Sequence, residues 1–216
     1  MRLIGRYDSP FVRRVGISLH LLGLPFEQLP LSVFSDATEV RKFSPLGRVP
    51  VLVLADGEVL VDSAAILDHL DEVAGPERRL IPAGGPARRR VLRTVVTATG
   101  AADKAIAISY ERRRPAAQQS ADWVDRCRVQ IEAALGELEV GWSTATPSTL
   151  GRPTQAEITT ATMLAYVRRV EPAIAAEGRY PGLDRMAADC ERLEAFRACP
   201  LPERTSPQII DVEKRA

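Results

Sequence analysis

The chain has 216 residues, 45% hydrophobic and 26% charged, with 29 Lys and Arg against 28 Asp and Glu. That composition supports a sizeable core and excludes wholesale disorder, and a net charge of +1 gives no electrostatic reason to expect nucleic-acid binding. No apolar stretch reaches the roughly 18–20 residues that span a bilayer, and residues 1–8 are broken too early for a secretory signal, so the chain reads as a cytoplasmic protein with no membrane partner.

Residues 3–5 with Tyr7 read as a short strand. Ser9 has the form of an N-cap, with Pro10 at the first helical position, where a missing N–H costs nothing. Phe11, Val12, Val15, Leu19 and Leu22 recur with a helical period, and Gly23 is a C-terminal stop. Residues 26–31 read as a second strand. Strand, helix and strand make a βαβ unit, which implies parallel pairing and a right-handed crossover. Residues 35–48 are polar and irregular, with one helical turn near 38–43. Residues 51–54 and 59–61 flank the hairpin signal Asp56-Gly57. Asp62 or Ser63 then caps a helix over 64–73, with Ala65, Ile66, His69, Leu70 and Val73 on one stripe and Gly75-Pro76 at its end.

Residues 82–86 are a linker by composition. Beyond them strand signals nearly vanish. Val91, Val95, Ala98, Ala102 and Ile106 form one helical stripe; Val124, Cys127, Ile131, Leu135 and Leu138 a second; Leu183, Met186, Cys190 and Leu193 a third. Thr154 and Glu157 have capping-box spacing before another helical run. From Pro200 onward three prolines and no periodicity suggest a loosely ordered tail. The expected architecture is an α/β thioredoxin-like N-terminal domain (βαβ-ββα, residues 1–80), an all-α C-terminal helical bundle domain (86–200) and a tail over 201–216.

Cys127, Cys190 and Cys199 have no CxxC spacing, so they read as reduced thiols and small core residues rather than a disulfide framework. His20 and His69 have no cysteine near them and read as helix-face residues near the core; no metal site is expected. Arg88-Arg89-Arg90 and Arg112-Arg113-Arg114 read as solvated helix ends, the sharper alternative being a surface for an anionic co-substrate or partner.

The segments Ser9-Pro10-Phe11-Val12-Arg13-Arg14, Ser44-Pro45-Leu46-Gly47-Arg48-Val49-Pro50-Val51-Leu52 and Asp62-Ser63-Ala64-Ala65-Ile66 resemble the glutathione transferase family. More narrowly they are similar to its small bacterial serine-type, theta-like members, and the segment 114–120 also resembles one bacterial subgroup. The resemblance covers nearly the whole chain. It implies a cytoplasmic homodimeric detoxification enzyme that takes glutathione as co-substrate without a metal. The thiol would add to a small hydrophobic electrophile, or reduce peroxides or disulfides. The resemblance makes Ser9 the thiol-activating hydroxyl, with Tyr7 as the rival used by tyrosine-type members. It makes Val49-Pro50 a cis-proline step whose backbone pairs with the cysteinyl unit of glutathione like an added strand. Arg48 would reach the glycyl carboxylate. Asp62 and Ser63 would take the γ-glutamyl ammonium and carboxylate, although the family more often has Glu at the place of Asp62. Asp103 would reach that ammonium across a dimer interface. Phe11 and Tyr110 are candidates to line the co-substrate pocket. In the family a capping box like that of Thr154 and Glu157 lies in the helical core and matters for folding, usually with Asp at the second place.

The chemistry is energetically sufficient. A thiol pKa near 8.5 leaves only a few per cent thiolate at pH 7, and lowering it by two units takes about 2.7 kcal/mol. One charge-assisted hydrogen bond supplies roughly 1.5–3 kcal/mol and a helix N-terminus about 0.3–1 kcal/mol more. Ser9 has a plainer reading as a helix cap alone. The whole chain has a competing one as a non-catalytic binding module of the same fold that acts through protein partners. A cysteine-type exchange mechanism is implausible because no cysteine precedes Cys127.

Overall fold

The computed structural model describes residues 1–144 and 152–202. Its sheet elements all fall in the first 61 residues: β1 (Arg2–Ile4), α1 (Pro10–Leu21), β2 (Glu27–Leu29), α2 (Ala37–Phe43), β3 (Val51–Val53) and β4 (Val59–Val61), followed by α3 (Ser63–Ala74). The strands run in the order β2-β1-β3-β4, with β1 parallel to β2 and antiparallel to β3, and β3 antiparallel to β4. Helices then take over: α4 (Gly85–Glu111), α5 (Ala121–Ser143), α6 (Gln155–Val170), α7 (Pro181–Glu191) and the short α8 (Glu194–Arg197). This is the α/β thioredoxin-like sheet followed by a helical bundle.

Register sorts the sheet's side chains, because successive residues of a strand point to opposite faces. Leu3 pairs with Leu52 and both join the main core with Val12 of α1 and Ile66 of α3. Ile4 pairs with Val51; these two and Val53 form a small second core against Leu29, Phe43 and Val61. The sheet is thus covered by α1 and α3 on one face and by α2 on the other. At the end of β1 the chain turns through Gly5, φ +127°, where a Cβ would lie 2.6 Å from Val12 Cγ2 and 3.0 Å from Val49 Cβ. Only glycine lets the Val49 loop approach that closely.

Helix α1 is buried on nearly all sides from Pro10 to Leu19, two arginines included. Arg13, 1% exposed, makes a bidentate pair with Glu191 at 2.8 and 2.7 Å and donates from Nε to the Cys199 carbonyl. It thereby ties α1 to the C-terminal helices. Asp71 of α3 accepts the Leu80 and Ile81 N–H groups at 2.6 and 2.9 Å, and the Leu80 carbonyl accepts the Gln155 N–H at 2.9 Å. The segment leading into the linker is therefore tied to both α3 and the start of α6. The capping box closes α6: the Glu157 carboxylate accepts from the Thr154 N–H and hydroxyl, and Thr154 Oγ1 accepts from the Ala156 N–H.

Several local expectations are corrected. Tyr7 is not a strand residue; it lies in the turn before α1 and packs on Gly16, where a Cβ would meet its Cε1 at 2.7 Å. Residues 37–43 form two helical turns rather than one. On α3, Val73 is 53% exposed while Leu67 is buried, so the apolar face is Ile66, Leu67 and Leu70. On α4 the fully buried seam is Ala98, Ala101, Ala102, Ala105 and Ile108. Val91, Val95 and Ile106 are only half-buried. Small side chains let α6 lie close along α4, an outcome that a search for large apolar residues overlooks. His20 is exposed, edge-on to Phe26 at 5.1 Å. The basic triplets are only partly solvated: Arg88 donates to the Pro82 carbonyl, Arg112 pairs with Glu171, and Arg114 pairs with Glu111. All three cysteines are buried and free. The tail beyond residue 202 lies outside the described residues.

Candidate functional site

Ser9 caps α1 because its extended backbone lets Oγ accept the Val12 N–H, at 3.4 Å, while its carbonyl accepts the Arg13 N–H at 3.0 Å. An accepting hydroxyl keeps its own proton. The Ser9 O–H is thus free to donate, beside backbone N–H groups that lack helical partners. Two residues on, Phe11 enters the wall of a cleft.

That cleft, about 270 Å³, is just under the ~300–1,000 Å³ usual for enclosed ligand pockets; it suits an extended ligand lying half on the surface. Arg48, Val49, Pro50, Asp62 and Ser63 all line it, with Phe11, Arg14, Thr99 and Asp103. Five of the six residues expected to hold glutathione are thus gathered from the loop before β3 and the capped start of α3. Ser9 itself and Tyr110 are not among the lining residues.

The Val49–Pro50 peptide bond is cis. Among the described residues neither the N–H nor the C=O of Val49 takes part in a backbone–backbone hydrogen bond. Both remain available to an extended peptide at the sheet's edge. Asp62 has φ +77°, the single positive φ outside glycine among the described residues. Such a conformation is disfavoured for an L-residue and is kept where surrounding structure imposes it. Here it lets Asp62 Oδ1 cap α3 by accepting the Ala64 N–H at 2.8 Å. Oδ2 is left to the cleft.

Ser63 is 2% exposed, and its hydroxyl oxygen accepts from Arg14 Nη2 at 2.7 Å. Arg14 is the residue that reading the sequence missed. It is buried, lines the cleft, and also donates from Nη1 to Thr159 Oγ1 at 3.4 Å. Thr159 in turn donates to Gln155 Oε1, and Gln155 Nε2 donates to Ser18 Oγ at 2.7 Å. Ser18 donates to the Arg14 carbonyl. A closed polar ring therefore runs from the cleft into α6. Burial lowers the Arg14 pKa to about 10 against the pull of Asp62 and Asp103, so the guanidinium stays charged at neutral pH. The one signal in the sequence was two adjacent arginines in a helix otherwise apolar all round.

Asp103, expected to act across a dimer interface, lines the cleft of its own chain. Loss of hydration on its protein side raises its carboxyl above the ordinary value, against the nearby cations Arg48, Lys104 and Arg14. The rival hydroxyl of Tyr7 is turned elsewhere: burial first, and a hydrogen bond to Cys199, push its pKa well above the usual tyrosine value. Tyr110 is 49% exposed and packs on Phe34 with ring centroids 5.4 Å apart, outside the cleft. Among the described residues no group of three or more His, Cys, Asp or Glu is placed to hold a metal ion, and no helix is long and apolar enough to cross a membrane.

Comparison with known proteins returns one family twice. Residues 3–78 match the glutathione S-transferase N-terminal domain and residues 121–185 the C-terminal domain. The uncharacterized GST-like protein YibF of Escherichia coli is 37% identical over 139 residues, 64% of this chain and 68% of YibF. A glutathione S-transferase from Methylobacterium radiotolerans, solved with glutathione sulfonate, superposes with a TM-score of 0.86 at 30% identity, over 97% of this chain and 99% of that one. One from Methylobacillus flagellatus, solved with glutathione bound, gives 0.84 at 27% identity, over 92% and 98%.

Proposed function

This chain belongs to the glutathione S-transferase family, and from that premise we propose that it is a glutathione transferase whose thiol-activating group is Ser9. The gathering of Arg48, Val49, Pro50, Asp62 and Ser63 around one cleft below the N-terminus of α1 carries the reading. Glutathione lies along it in extended form. Its cysteinyl backbone pairs with Val49 N–H and C=O. Its glycyl carboxylate meets Arg48. Its γ-glutamyl carboxylate takes the N-terminus of α3, where Ser63 stands, and its ammonium lies between Asp62 and Asp103 of the same chain. The binding unit is residues 1–80 and the co-substrate unit 86–200.

The Ser9 hydroxyl donates to the glutathione sulfur and holds it as the thiolate. The thiolate then attacks an electrophilic carbon: a carbon–sulfur bond forms, and the leaving group departs with its bonding pair. With a peroxide as co-substrate, two glutathiones become one disulfide while the peroxide is reduced to alcohol and water. The enzyme works as a homodimer in the cytoplasm, in detoxification. Turnover of 1-chloro-2,4-dinitrobenzene by the wild type, with a loss of at least tenfold in Ser9→Ala, supports this reading. Absence of glutathione binding at millimolar concentration overturns it, and binding without turnover of any electrophile or peroxide favours the docking-module alternative.

A further inference from the structure

The middle arginine of the second basic triplet is unlike its neighbours. Arg112 pairs with Glu171, and Arg114 with Glu111. Arg113 has no carboxylate within 4.0 Å among the described residues; its guanidinium instead lies 3.6 Å from the centre of the Phe34 ring. Phe34 and Tyr110 pack together and both are exposed, 37% and 49%. Tyr110, Arg113 and Asp8 all act electrostatically on the largely buried Tyr166 of α6, whose pKa is raised chiefly by its burial. Asp8, the residue before Ser9, is one of the charges acting on Tyr166, which relates this shelf to the start of α1. The nearby acid does not consume the Arg113 charge, since Asp8 is turned to Arg6 at 3.6 Å.

A guanidinium stacked on an aromatic ring is held in place through its face. Its outer face stays open to a planar group and its edge N–H groups to a carboxylate, the fork geometry that anions match best. Tyr110 supplies apolar ring surface next to that edge. We propose that the electrophile taken by this protein is a planar, aromatic or conjugated, molecule bearing an anionic group, seated on Tyr110 with its anion on Arg113. The inference rests on the glutathione reading above and adds the substrate's charge and shape.

The test is isothermal titration of wild type and Arg113→Gln with three probes: glutathione, S-benzylglutathione and S-(4-carboxybenzyl)glutathione. The wild type should bind the carboxybenzyl conjugate about tenfold more tightly than the benzyl one, as expected for a charge-assisted pair. Arg113→Gln should bring that ratio close to one, with the affinity for glutathione within twofold of wild type and the thermal midpoint unchanged. Equal affinities of the two conjugates in the wild type, or a ratio that survives the substitution, overturn the inference while leaving glutathione binding in place. Failure of glutathione itself to bind overturns the functional reading first, and this inference with it.

Discussion

Arg14 of α1 and Ser63 at the head of α3 are joined by a 2.7 Å hydrogen bond across 49 positions of sequence. The bond puts a buried cation directly behind the hydroxyl assigned to the γ-glutamyl carboxylate. It also makes the cleft depend on the helical bundle, because the same guanidinium donates to Thr159 of α6.

Arg14→Met should weaken glutathione binding at least tenfold and lower stability by about 1–3 kcal/mol, because the Ser63 and Thr159 hydroxyls lose a buried donor. Ser63→Ala should weaken binding to a similar degree with a smaller loss of stability. Calorimetric titration and urea unfolding of both variants check this. Wild-type affinity in Arg14→Met would remove the guanidinium from the binding account.

Ser9→Ala should cost about 1 kcal/mol of stability through the lost cap. Its larger effect should be on the bound thiol, whose ionised fraction at pH 7 falls to the few per cent of a free thiol near pKa 8.5. Thiolate absorbance of the binary complex, followed against pH, reads the shift, and Ser9→Thr should restore most of it.

Tyr7→Phe separates the two hydroxyls. The Tyr7 side chain is directed at Cys199 and the face of Gly16, so the bound thiol should titrate as in the wild type. The variant should lose about 0.5–1.5 kcal/mol of stability with the hydrogen bond. A raised thiol pKa in this variant would return the role to Tyr7.

The pH dependence follows from Asp103. Its folded pKa is raised, first by burial, so on acidification it takes up a proton above the ordinary carboxylate range. Only the ionised form holds the γ-glutamyl ammonium. Affinity for glutathione should therefore be full at neutral pH and fall as pH drops through that raised value. Affinity measured from pH 4 to 7 should show the inflection in the wild type and not in Asp103→Asn.

Thr154→Ala should lower stability by about 1–2 kcal/mol by opening the capping box. Glutathione affinity of the folded variant should stay within twofold of wild type, as checked by thermal unfolding and titration.

The cap of α1 at Ser9, the Asp56-Gly57 hairpin and the Thr154–Glu157 box were legible because each is closed by atoms two or three residues apart. The same holds for the alternation that places Leu3 and Leu52 in one core and Ile4 and Val51 in the other. That Asp103 borders the cleft of its own chain could not be read from the sequence, since no local pattern says which cleft a helix face will border. Arg14 was invisible for a related reason. A charged side chain in a helix ordinarily points to water, and only the arrival of α6 over α1 turns it inward and supplies its partners.

By itself, then, the amino-acid order determined the elements, their caps and the short motifs that come to line the cleft, because those signals act through neighbouring dihedrals and short hydrogen bonds. Tertiary structure alone decided which side chains meet: Arg13 on Glu191, Arg14 on Ser63, Tyr7 on Cys199, and Arg113 on Phe34. These pairings join segments that lie far apart along the chain. Their energies arise only once the bundle has packed against the sheet and brought those distant segments into contact.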